Sequence, residues 1–265
     1  FGGSHPIALS EYYGAASGVP ASGAISVDDF RGKSSVFEFD LATGNSISLS
    51  TAATAAGWSG SVPIIANVPS SVTIGGSTTA YGLLIDTGSN NVTLSVTGKI
   101  LGKGGNGGNA NNGSGSAGGA AVKLDSGFSA TAAITVNSGG LIGGGGGGGG
   151  GGVGSFYSDG MYAGGGGAGG AGRANSSGGS YSGSNYVFNA QGGTDTAGGP
   201  RNNYGGGAGG ALGANGEAGF IQLPGFMYSY TGGSGGPGGA AGKAINLNGK
   251  SHTLVNNGTV SGAVS

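Results

Sequence analysis

His5 and His252 are the only two imidazoles in a chain of 265 residues, and they stand near its opposite ends. That separation gives no support to a catalytic pair. Asp28 and Asp29 are adjacent, so on a strand their carboxylates point to opposite faces and do not form an acid–base couple. Gly102–Gly107 fits G-x-G-x-x-G, but it lacks the strand-then-helix setting that lets such a loop hold a pyrophosphate. Gly32-Lys33-Ser34 and Gly249-Lys250-Ser251 echo the end of a phosphate loop, yet Val27 and Ala244 occupy the place of its first glycine. No cysteine is present, which rules out disulfides and thiolate metal sites. The expectation is a protein that is not an enzyme and carries neither cofactor nor metal.

What remains is aromatic chemistry on an unusual background. Glycine supplies 71 residues, Lys and Arg nine, Asp and Glu ten, for a net charge of -1. So few charges argue against a nucleic-acid face and against a chain kept open by self-repulsion. Seven prolines and a broken glycine period exclude collagen. The uncharged run 137–158 is mostly glycine and too poor in apolar area to span a bilayer. The chain starts at Phe1 rather than Met and so reads as a processed product or a piece of a longer one.

Three regions follow. Residues 1–33 hold a short echo, Ile7-Ala8-Leu9-Ser10-Glu11-Tyr12-Tyr13-Gly14 and Ile25-Ser26-Val27-Asp28-Asp29-Phe30-Arg31-Gly32, expected to form a docking arm. Residues 34–101 alternate apolar and polar positions at 36–41, 46–50, 71–74 and 91–97, the signature of strands. They are expected to form a small β-domain, a sandwich or prism, with Phe37, Phe39, Leu41, Trp58, Ile64, Ile65, Leu83 and Ile85 in its core. Ala52–Ala56 is expected to form one helical turn leading to Trp58. Residues 102–265 carry repeated glycine runs, one of them ten residues long at 143–152, between strand-like segments at 121–124, 133–136 and 245–264.

A single such run would read as a linker, but runs that recur at this cost in backbone entropy call for a compensating interaction. A three-residues-per-turn helix without internal hydrogen bonds points every amide outward, and buried amides need partners. Glycine allows neighbouring helices to approach until backbone bonds directly to backbone. The expected fold is therefore an all-β N-terminal part plus a polyglycine-II helix sandwich, with Ala, Asn, Ser or Pro tolerated where a position faces water, as at Asn106, Ala168 and Pro237.

The segments between the runs are rich in Tyr and Phe among Ser, Asn and Gly, a mixture that combines contact area with adaptability. Long loops on a rigid scaffold are usually functional. Binding residues are accordingly expected at Phe156, Tyr157, Tyr162, Tyr181, Tyr186, Phe188, Tyr204, Phe226, Tyr228 and Tyr230. Strict up-and-down alternation would put 153–163 and 173–204 at opposite ends of the sandwich, unless a short turn lies inside the second.

Lys103-Gly104-Gly105-Asn106-Gly107-Gly108, Ala117-Gly118-Gly119-Ala120-Ala121, Leu141-Ile142 entering the ten glycines, and Gly238-Gly239-Ala240-Ala241-Gly242-Lys243-Ala244 resemble the glycine-rich tail-fibre adhesins of tailed bacteriophages. Such adhesins include the distal one that caps the long tail fibre of T-even-like phages. Ala56-Gly57-Trp58-Ser59-Gly60 with Val62-Pro63-Ile64 looks like a segment of phage tail proteins. The resemblance implies a virion protein at the tail or tail-fibre tip, extracellular, presenting loops to a host outer-membrane protein or surface glycan. It also implies contact with other tail proteins through the N-terminal arm, and leaves monomer and homotrimer both open. The alternatives are a structural appendage component without receptor contact and an ice-binding protein. The long aromatic loops argue against the flat, regular face that ice requires.

Overall fold

The computed structural model describes residues 19, 22–24, 36–77, 81–109, 113–152, 156, 157, 160, 161, 170–172, 178, 179, 192–200, 206–219 and 235–265. Most of the expected docking arm lies outside these residues.

Alternation of apolar and polar residues produces strands, as the sequence predicts, but their pairing is parallel almost throughout. The chain winds through five three-sided coils. The first holds β1 (Phe37–Asp40), β2 (Gly44–Asn45) and β3 (Ile47–Ser48), followed by helix α1 (Leu49–Ala55). The second holds β4 (Ile64–Val68), β5 (Thr73–Gly75) and β6 (Tyr81–Ile85); the third holds β7 (Val92–Val96), β8 (Lys99–Leu101) and β9 (Ala120–Leu124). The fourth begins with β10 (Ala132–Val136) and β11 (Leu141–Gly143). It is then interrupted by a long insertion containing β12 (Phe156–Tyr157) and β13 (Gly160–Met161), and closes with β14 (Ile245–Asn246). β15 (His252–Asn256) and β16 (Thr259–Ser261) form the fifth, whose third side is Val264 bridged to Ile245.

Equivalent strands stack into three sheets, ordered β1-β4-β7-β10-β15, β16-β11-β8-β5-β2 and β14-β9-β6-β3. A parallel pair needs a crossover, and here the other two sides of the coil supply it. Inward side chains rise in ranks through the axis. Phe39, Ala66, Leu94, Ile134 and Leu254 occupy paired positions on five successive strands. The middle three are buried, while Phe39 and Leu254 are partly buried at the two ends. Burying a Leu or Ile in such a rank stabilises by about 2 kcal/mol.

Two sequence expectations change here. Of the two forms expected for residues 34–101, the three-sided stack is a prism and not a sandwich, and β10 pairs with β7 along its whole length, so the ladder continues across the expected boundary at 101/102. Ile65 does not join the core. Ile64 takes the inward place, and its neighbour faces outward, half-buried, because successive strand residues alternate faces. Leu41, Trp58, Ile64, Leu83 and Ile85 are buried as expected, and Phe37 and Phe39 pack against that core.

The predicted helical turn before Trp58 is α1. Ser48 caps it, its hydroxyl oxygen accepting from the Thr51 N–H at 3.2 Å. Asp86 accepts from the Ser50 N–H at 2.8 Å and from the Ser48 hydroxyl at 2.7 Å, placing negative charge where the helix leaves amides unpaired. Trp58 then fills the corner, its indole N–H donating to the Val62 carbonyl at 2.8 Å.

Candidate functional site

Strands β8 and β11 run directly into glycine segments, and β9 and β14 begin where glycine segments return. The ten-glycine run 143–152 is buried along its whole length. Its carbonyls aim in three directions that repeat every third residue. Those of Gly143, Gly146 and Gly149 accept from Gly102, Gly105 and Gly108, each at 2.8 Å. Those of Gly144, Gly147 and Gly150 accept from Gly213, Gly210 and Gly207 at 2.7–2.9 Å, and those of Gly145, Gly148 and Gly151 from Gly242, Gly239 and Gly236 at 2.7–2.8 Å. The amides follow the same rule. Gly145, Gly148 and Gly151 donate to Gly119, Ser116 and Gly113; Gly147 and Gly150 donate to Ala214 and Glu217; Gly146 donates to Ala171. Among the described residues, six chain segments thus surround the central one.

Only glycine fits these contacts. A Cβ built on Gly148 would lie 1.9 Å from the Asn106 carbonyl oxygen, and one on Gly150 1.8 Å from that of Gly236. Side chains occur on the outside, where Asn106, Ser116, Pro237 and Ala240 are exposed. Some also close the rim: the Asn215 side-chain oxygen accepts from the Ala241 N–H at 2.7 Å.

The bonding order sets the direction of each segment. Segment 102–108 runs away from the coils, as does 143–152, whereas 113–119, 207–213 and 236–242 run back towards them. Near the coils the chain turns at Ala211–Ala214, with the Ala214 N–H donating to the Ala211 carbonyl at 3.0 Å. A second turn there, Thr194–Ala197, is held by Thr194 N–H to Ala197 carbonyl at 2.7 Å and by Ala197 N–H to the Thr194 hydroxyl at 3.0 Å. It is anchored to the neighbouring segment through Gly172 N–H to Thr194 carbonyl at 2.9 Å.

The Thr194–Ala197 turn sets the layout together with the Ala211–Ala214 turn and the return of the chain from Gly172, beside Gly102, to Gly179, beside Gly108. With these, the chain leaves the described bundle at its far end after Gly152, Gly179, Pro200 and Gly219. Gly179 is packed on the Gly108 carbonyl, and the Gly219 N–H donates to Gly236. The intervening segments 153–169, 180–191, 201–205 and 220–234 contain all ten aromatic residues that the sequence singles out. Of these, only Phe156 and Tyr157 have a described backbone. They form β12, paired antiparallel with β13 in the register Phe156 to Met161 and Tyr157 to Gly160. Tyr162, Tyr181, Tyr186, Phe188, Tyr204, Phe226, Tyr228 and Tyr230 lie outside the described residues. Asn109 and Gly113 meet at the same end, the Gly113 N–H donating to the Asn109 carbonyl at 3.0 Å, a connection that sequence reasoning did not single out because the residues between them carry no aromatic signal. Among the described residues no cluster of His, Asp or Glu side chains is suited to hold a metal ion.

The family model for the phage tail fibre adhesin Gp38 matches residues 36–265. This chain belongs to that family. The adhesin is therefore a tail-fibre component of a phage virion. Its fold is similar to that seen in the crystal structure of the gp37-gp38 adhesin tip complex of the bacteriophage S16 long tail fiber. The two share 21% identity and a TM-score of 0.58, over 98% of this adhesin and 99% of that chain. No curated protein matches the adhesin in sequence.

Proposed function

We propose that the adhesin binds a receptor on the host bacterium through the aromatic loops at the far end of the glycine bundle, and that the bundle is a polyglycine-II sandwich. The observation carrying this reading is the Thr194–Ala197 turn. Together with the Ala211–Ala214 turn and the return of the chain from Gly172 to Gly179, it directs the chain towards one end of the bundle before each of the four aromatic segments, which can then act as one surface. The three-residue repeat of backbone bonding along 143–152 supports the polyglycine-II assignment, since that helix has three residues per turn. A scaffold of this kind holds the loops without contributing side chains of its own, and Tyr-rich loops supply the residue type that concentrates binding energy.

The receptor is an outer-membrane protein or a surface glycan, contacted outside the cell, and no covalent chemistry accompanies binding. The similar S16 chain was solved as a gp37-gp38 complex, which supports attachment of this adhesin to another fibre protein. The arm at residues 1–33 is the segment we assign to that contact. A purely structural role would need no aromatic loops gathered at one end.

Exchange of segments 153–169, 180–191, 201–205 and 220–234 between two family members with different hosts tests the reading. Host range is expected to follow the loops. If it follows the coils or the arm instead, the loops are not the receptor-binding surface.

A further inference from the structure

The corners between the first and second sides of the coils share one constraint. Gly98, Gly140 and Gly258 sit at equivalent places in coils three, four and five, each immediately before the second strand. Each packs on backbone carbonyls. A Cβ would meet the Pro69 oxygen at 2.2 Å, the Val96 oxygen at 2.2 Å and the Asn137 oxygen at 2.4 Å respectively. Glycine is therefore required at this corner whatever precedes it. The preceding residues are Thr97, Gly139 and Asn257. Only in coil five does the required glycine follow an asparagine.

We propose that Asn257–Gly258 is a site of spontaneous covalent ageing. The Gly258 amide nitrogen attacks the Asn257 side-chain carbonyl carbon and gives up its proton. The side-chain nitrogen leaves as ammonia, and a five-membered succinimide closes. Water then opens the ring at either carbonyl to give aspartate or isoaspartate. Glycine is the residue that least obstructs this attack, because it has no side chain beside the nitrogen and the widest backbone freedom. Asparagine is among the thermolabile residues for this reason.

The described Asn–Gly pairs differ in how firmly the reacting groups are held. Asn215 is held at both: its side-chain oxygen accepts from Ala241, and the Gly216 N–H donates to the Gly239 carbonyl at 2.9 Å. Asn248 donates its side-chain amide to the Leu124 carbonyl at 2.6 Å. Asn106 is fixed through its main chain, its carbonyl accepting from Ser116 at 2.8 Å inside the bundle. Asn257 is exposed, and its side chain makes no hydrogen bond with the described residues. Among the described residues, the Gly258 N–H is held only by the Asn256 side chain at 3.2 Å. Strands β15 and β16 of coil five are also each paired on one side only among the described residues.

The reaction would reach the root of the glycine bundle. Isoaspartate adds a methylene to the main chain just before β16, whose Ser261 carbonyl accepts from the Gly144 N–H at 2.9 Å. The adjoining Gly262 packs against Gly213. A shift of β16 therefore loosens the anchoring of the central glycine segment on the coils.

Peptide mass mapping of the full chain during prolonged incubation in weakly alkaline buffer at body temperature tests this. Conversion at Asn257 is expected several-fold faster than at Asn106, Asn215 or Asn248. Amide protection at Gly144 is expected to fall in step with it, and an Asn257→Ser variant should keep that protection. Equal or faster conversion at any of the other three would overturn the proposal, as would an Asn257 still intact when they have reacted. Unchanged Gly144 protection in fully converted protein would overturn the structural consequence.

Discussion

Gly148→Ala is expected to melt the glycine bundle. The new Cβ would lie 1.9 Å from the Asn106 carbonyl oxygen and within 3 Å of two more backbone atoms. None of these is the end of a flexible side chain that could swing aside. Overpacking costs about 1–3 kcal/mol, and each buried amide or carbonyl that loses its partner as the segments part costs about 1–3 kcal/mol more. Gly148 bonds through both groups, to Ser116 and Gly239. The expected loss is therefore at least about 3 kcal/mol, or about 10 °C in the midpoint of thermal unfolding for a protein near this size. Gly57→Ala is the control. Its φ of +108° disfavours a side chain, but the space around it is open, so a loss of about 1 kcal/mol is expected. Calorimetry on the two variants separates backbone packing from backbone conformation. Equal losses would mean that the central run is not closely packed.

Replacing Phe226, Tyr228 and Tyr230 together by alanine is expected to remove host adsorption and leave unfolding unchanged. A hot-spot aromatic is worth about 2 kcal/mol when truncated, or about 30-fold in affinity. Because such effects are not additive, a combined loss of at least about 100-fold is the appropriate expectation. The three residues lie in segment 220–234, outside the described bundle, and glycines on both sides of it are bonded into that bundle at Gly219 and Gly236. Adsorption kinetics of virions carrying the variant give the answer. Normal adsorption would move the receptor contact to another segment; a lower unfolding midpoint would show that these aromatics serve the scaffold instead.

The strands were legible because their inward residues must alternate with outward ones. The segments 91–97, 121–124 and 133–136 coincide closely with β7, β9 and β10. Leu49 was misread as a strand position because Ser46-Ile47-Ser48-Leu49-Ser50 continues the alternation. Capping of α1 by Ser48 and Asp86 is a tertiary effect that local periodicity does not contain. The coil architecture was not legible. Paired residues Phe37, Ile64, Val92, Ala132 and His252 recur at unequal intervals, since the insertions at 102–119 and 144–244 lengthen the third and fourth coils by different amounts. A fixed period is the usual mark of a solenoid, and here it is lost.

The glycine bundle presents the opposite case. Nothing in its side chains specifies which segment lies beside which, so pairing order could not be read from composition. The need for backbone partners could, because amides buried without them are too costly. The proposed gathering of the loops depends in part on Thr194-Asp195-Thr196-Ala197, four ordinary residues between glycine pairs. Its significance comes from the parity of turns rather than from its own chemistry. One turn fewer would have sent the aromatic segments to both ends.

Amide hydrogen exchange at Gly145, Gly148 and Gly151 tests most directly whether backbone bonding holds this bundle together. Their N–H groups donate to Gly119, Ser116 and Gly113 at 2.7–2.9 Å, and no side chain shelters them. Protection comparable with that of Leu94, in the centre of the coils, is the expected result. Exchange as fast as in an unstructured glycine peptide would mean that these segments are not locked to one another, and the loops would then have no rigid support.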